Sequence, residues 1–162
     1  MPLIDRYRTL YEYEKDCSSK LLAMLDSAPE PSRSDARFQR AVTLADHLAA
    51  CREFWLECMD GKGVCDGSGW NEQCKLSMLS PRFAAIEPRW TEYLARLDDS
   101  QLAQDFEFSE TNGEVFRLPL GVQIEQLAGH AAYHRGQIVL LVDQLGGEVV
   151  DTDYADWWWA GH

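Results

Sequence analysis

Two histidines stand four residues apart in the segment His130-Ala131-Ala132-Tyr133-His134-Arg135-Gly136-Gln137-Ile138. In a helix, four residues climb about 6 Å and turn about 400°. Both imidazoles therefore leave one face, one above the other. Two stacked neutral imidazoles form a ready pair of divalent-metal ligands. A third histidine, His47, lies beside Leu44 and Leu48 on another apolar-striped segment. If the two segments pack face to face, three nitrogens converge on one cation and leave coordination positions open. That arrangement belongs to catalytic rather than structural metal centres. The plainer alternative is three core histidines satisfied by hydrogen bonds, since HxxxH alone is a weak signal. His162, the terminal residue, reads as solvated.

Neighbouring residues carry softer assignments. Cys51 is one turn past His47 and is a candidate soft fourth ligand, although a buried cysteine ordinarily just packs. Gln137, seven residues beyond His130, faces either the cavity or a packed helix. Arg135 points away from the two histidines and has three readings: a pair with an acidic partner such as Asp46, a contact to a substrate anion, or a solvated or structural arginine. Gly136 reads as room for close helix approach, and Tyr133 as a packing or hydrogen-bonding residue.

Helices must position these groups. Leu3, Tyr7, Leu10, Tyr11, Leu21, Leu22 and Leu25 recur near the helical period, and Ala28-Pro29-Glu30-Pro31-Ser32 breaks the run. Ser34 is the expected N-cap of a second helix that stops near Gly61. A Gly- and Cys-rich loop follows. Ser80-Pro81 marks the start of a third helix over 81–97, which Pro88 should kink or split. The segments 106–109 and 114–118 alternate around Thr111-Asn112-Gly113, a hairpin signal. A last helix spans 122–145 and ends at Gly146-Gly147. The expected fold is all-α: a four-helix bundle with a small β-hairpin inserted before the last long helix, in a single domain over 1–162.

Composition excludes several partners. The formal net charge is −12, from 27 acidic and 15 basic side chains, a balance that repels nucleic acid and anionic membrane surfaces. No run approaches the ~18 apolar residues of a membrane span. Met1-Pro2-Leu3-Ile4-Asp5-Arg6 lacks the layout of a signal peptide, so the cytoplasm is the expected compartment. Five cysteines, without a CxxC pair, argue against a disulfide framework and for a reducing compartment. A structural zinc at Cys65 and Cys74 is the minor alternative. Trp157-Trp158-Trp159 cannot turn all three rings inward, so at least one is expected to be exposed or covered by a second subunit, which motivates the expectation of a homodimer.

Several of these motifs together resemble the DinB-like family of metal-binding four-helix bundles. The similarity is carried by Ala45-Asp46-His47-Leu48 with Glu53-Phe54-Trp55-Leu56, then by Leu127-Ala128-Gly129-His130 and Tyr133-His134-Arg135-Gly136-Gln137-Ile138. Gly113, Pro119-Leu120 and Thr152-Asp153-Tyr154 also match. The loop at 61–75 is longer than the family's link. The resemblance implies that His47, His130 and His134 form a metal triad for a divalent ion such as zinc or nickel, commonly in a homodimer. It also implies kinship with thiol-dependent transferases and isomerases. The resulting expectation is a divalent-metal-binding protein that is a metal-dependent thiol S-transferase acting on electrophilic small molecules. The alternatives left open are a non-catalytic, stress-associated metal-binding protein and a metal-dependent hydrolase.

Overall fold

The computed structural model of the chain describes residues 1–61, 70–109 and 112–161. Helix α1 runs Leu3–Ser27. Its inward face is a heptad-like row, Ile4, Tyr7, Tyr11, Glu14, Ser18, Leu21 and Leu25, all buried. Pro2 supplies no cap. Instead, the Asp99 carboxylate accepts from the backbone N–H groups of Leu3 (3.1 Å) and Ile4 (2.8 Å), satisfying donors that a helix start leaves unpaired. A 3-10 turn, Glu30–Ser34, then absorbs the prolines. Asp35, not Ser34, caps α2 (Ala36–Met59), its Oδ1 accepting from the Arg37 N–H at 2.8 Å. Every residue from 41 to 49 is buried, because α2 is wedged between two neighbours.

Helix α3 spans Leu76–Arg96, starting a turn earlier than Pro81 suggests. Leu79 and Phe83 are the reason: both are essentially fully buried, and their packing outweighs the backbone bonds that Pro81 and Pro88 forgo. Pro88 does not divide the helix. A single turn, α4 (Asp99–Leu102), closed by an Asp98/Gln101 capping box, leads into the hairpin. Strands β1 (Asp105–Ser109) and β2 (Val115–Pro119) pair antiparallel, from Asp105 opposite Pro119 to Ser109 opposite Val115. Gly113 takes φ +85° in the connection, a conformation that favours glycine. Helix α5 (Leu120–Gln144) follows β2 directly. It ends where Gly146 turns left-handed at φ +81° and the Gly147 N–H caps the Val142 carbonyl at 3.0 Å. A short α6, Tyr154–Trp159, closes the chain.

The four long helices close a ring: α1 packs on α3 and α5, and α2 packs on α5 and α3. This is the expected bundle with its hairpin before the last long helix. Two apolar clusters fill it. One is built around Leu21, Leu25, Leu44, Phe83, Ile138 and Val142, the other around Tyr7, Leu56, Ile86, Trp90, Leu94 and Ile124. Among the described residues, no helix is long and apolar enough to cross a membrane. Cys17, Cys51 and Cys74 are free thiols. Cys58 is disulfide-bonded, a bond against which the odd cysteine count argues. Cys74 is buried, while Cys65 and His162 lie outside the described residues, as do 62–69 and Thr111 of the hairpin connection.

Candidate metal centre

Helices α2 and α5 face each other, and they bring His47, His130 and His134 together. One ring nitrogen from each lies within 4.8 Å of the other two. The Nε2 atoms of His47 and His130 are 3.3 Å apart. Tetrahedral bonds of 2.0–2.1 Å to a zinc-like ion set nitrogen ligands about 3.3 Å apart, so the observed separation suits a shared cation. His130 and His134 leave one face as their spacing dictates, their rings edge to face with centroids 4.5 Å apart.

The surroundings keep these rings ready to ligate. Burial, with His134 and His47 alongside, pushes the His130 imidazole down to about 4, leaving it neutral near pH 7. Gln137 Oε1 lies 2.9 Å from His134 Nδ1. An amide oxygen can only accept, so Nδ1 carries the proton and the lone pair is left on Nε2. Gln137 therefore faces the site, one of the two positions its spacing allows. Among the described residues no carboxylate joins the three imidazoles, so a bound cation keeps its full charge.

Cys51 does approach His47, but its Sγ lies 3.5 Å from Nε2 and 3.7 Å from Nδ1. A sulfur nearly equidistant from both nitrogens rests against the ring rather than along a lone pair. It does not join the three-nitrogen group. Burial lifts its thiol to about 11. Arg135 does not reach Asp46. It turns into the core, where its Nη1 donates to both Glu14 carboxylate oxygens (3.3 and 3.4 Å) and its Nη2 to Tyr13 Oη at 2.9 Å. Arg52 completes this buried group, donating to Glu14 at 2.9 Å and to Ser18 at 2.8 Å. Glu14 thus ties α1 to the backs of both histidine-bearing helices. Asp46 is instead taken by Arg82 of α3 at 2.5 Å, and Arg82 also grips Glu53 through two nitrogens. Gly136 has nothing within 4 Å of where a Cβ would stand, so it is not a point of close helix approach. Tyr133 is 65 % exposed and sets its ring edge against His134.

One component is absent from any spacing rule. The Trp70 indole stacks on the His47 imidazole, centroids 3.8 Å apart and planes 8° from parallel, and the Arg40 guanidinium lies 5.0 Å from the indole centroid. Trp70 also meets His134 edge-on at 6.0 Å.

The sequence profile of the DinB family matches residues 4–160. This chain belongs to the DinB family. Among its relatives, Protein DinB of Bacillus subtilis (strain 168) is 21 % identical over 155 residues, covering 90 % of this chain and 89 % of that protein. The crystal structure of a DinB-like protein from Bacillus cereus ATCC 10987 at 2.01 Å resolution shares the fold. Its TM-score is 0.61 at 19 % identity, over 83 % of this chain and 89 % of that one. In this member of the DinB family, His47, His130 and His134 could hold a metal ion.

Proposed function

We propose that this DinB-family protein is a divalent-metal-dependent enzyme that joins a small thiol to an electrophilic small molecule, with zinc or nickel held by His47, His130 and His134. The observation that carries the reading is the convergence, among the described residues, of three imidazoles without a carboxylate. A divalent ion held there would supply a Lewis acid that favours the deprotonated form of a small thiol.

The chain's own groups do the rest. Gln137 fixes the His134 tautomer, His130 stays unprotonated at neutral pH, and Trp70 covers one face of His47. In the transfer, the thiol S–H bond breaks and the sulfur bonds to the electrophilic carbon as the bond from that carbon to its leaving group breaks; the leaving group takes that electron pair and gains the proton directly or through solvent. The proposal includes a homodimer, supported by Trp159, which is 79 % exposed beside Trp158 on α6.

Elemental analysis of purified protein, followed by cobalt substitution and thiol titration, tests the chemistry. The expected result is one ion per chain, lost in His47→Ala, His130→Ala and His134→Ala, and a sulfur-to-cobalt charge-transfer band on adding thiol. Full occupancy in His47→Ala would remove that residue from the site. A spectrum that no thiol changes would end the transferase reading and leave a non-catalytic or hydrolytic metal protein. Light scattering tests the dimer.

A further inference from the structure

We infer that Arg40 is a specificity-determining arm of this centre, selecting small ligands that carry a metal donor at one end and a carboxylate at the other. The inference rests on the metal reading of the three histidines and not on the thiol chemistry.

Arg40 precedes His47 by seven residues on α2, so the two project from nearly the same face, about 10 Å apart along the axis. Trp70 bridges that gap. Its ring lies 3.8 Å from the His47 ring, and the Arg40 guanidinium carbon lies 5.0 Å from the Trp70 ring. The sum of the two separations bounds the guanidinium at 8.8 Å from the imidazole centroid. A ligand only a few bonds long spans from the imidazole cluster to Arg40.

Arg40 is also unlike most other arginines here. Arg8, Arg33, Arg37, Arg52, Arg82 and Arg135 each hold a carboxylate. Among the described residues, Arg40 has no carboxylate within ion-pair distance. Its one described contact is the π face, which holds the side chain in place while leaving its N–H donors unspent. On a chain of net charge −12, most surface repels anions. A cation held by the triad, together with the Arg40 guanidinium, would make this rim the exception. A guanidinium accepts a carboxylate through two parallel N–H bonds, which gives direction as well as attraction.

The test uses cobalt-loaded full-length protein and two probes of similar length, 2-mercaptoethanol and 3-mercaptopropionate, titrated by the visible spectrum at low ionic strength. Wild type should bind the carboxylate-bearing thiol about five-fold more tightly. Arg40→Gln should lose that preference, keep its affinity for 2-mercaptoethanol, and retain the cobalt spectrum and melting temperature of wild type. Arg40→Lys should fall between, because it keeps the charge but not the planar fork. Salt at about 0.5 M should shrink the wild-type preference. An equal preference in wild type and Arg40→Gln, or none in wild type, overturns the assignment. If neither thiol alters the spectrum, the transferase reading fails, and acetate against glutarate reads Arg40 on the same terms. Glutarate should then be preferred only while Arg40 is present.

Discussion

Replacing Glu14 by glutamine removes a charge and almost no volume from the centre of the bundle. Glu14 exposes 7 % of its side chain and accepts from Arg52 at 2.9 Å and from Arg135 at 3.3 and 3.4 Å. Without it, two guanidiniums sit in the core with no anion between them. Removing one partner from a buried ion pair costs about 3–5 kcal/mol. Unfolding entropy near 60 °C is about 2.1 cal/mol/K per residue, or about 340 cal/mol/K for 162 residues. The expected loss is therefore about 9–15 °C in Tm, read by circular dichroism, with a matching fall in the urea midpoint. A drop of less than about 3 °C would mean that the guanidiniums are already hydrated in the native state, and the reasoning would fail. Glu14→Leu combined with Arg52→Met and Arg135→Met should recover most of the loss, because apolar replacement of a whole buried ionic group is often neutral or better.

Gln137→Ala should weaken metal binding about 10- to 100-fold, because it frees the His134 tautomer; competition against a chromophoric chelator measures this, and an unchanged Kd would exclude the role. Stripping the ion should lower Tm by about 8 °C when metal stands at about 100 times Kd, since native-only binding then adds about 2.7 kcal/mol; identical melts before and after stripping would contradict it. His130 titrates at about 4 when folded, against 6.5 in its ordinary state. Between those values the unfolded chain binds more protons, so the metal-free fold should lose stability as pH falls from about 6.5 towards 4, and be indifferent to this group above that window. His130→Gln should flatten that limb of the urea-midpoint curve, and superimposable curves would refute the assignment.

The sequence makes the bundle visible because its helices carry apolar rows at the right period, and Asn112-Gly113 announces the hairpin. His130 and His134 are legible as a pair for a local reason: their spacing alone puts them on one face. Their union with His47 needs two helices to pack correctly, and no local spacing encodes that. Arg52 and Arg135 look like surface charges in a linear reading. The clue to their burial is on α1, where Glu14 and Ser18 occupy the inward row between Tyr11 and Leu21. Two polar residues in that row need buried partners. Pro81 misplaces the start of α3 because proline is read as a first-turn residue, whereas the packing of Leu79 extends the helix backwards. Trp70 and Arg40 escape because a stack on His47 depends on where the fold places residue 70 relative to α2, and residue type alone does not fix that placement.

The hairpin touches both ligand-bearing helices. β2 passes into α5 without an intervening residue, and Trp55 of α2 sets its ring edgewise against Phe106 and Phe108 of β1. The two rods that hold the imidazoles thus share one end-plate. A displacement of that plate therefore reaches both rods and, through them, all three imidazoles. Lengthening the chain at the Pro119–Leu120 junction would uncouple plate from rod and rotate His130 and His134 relative to His47. Growth near Asn112-Gly113, at the free rim of the plate, leaves that alignment alone.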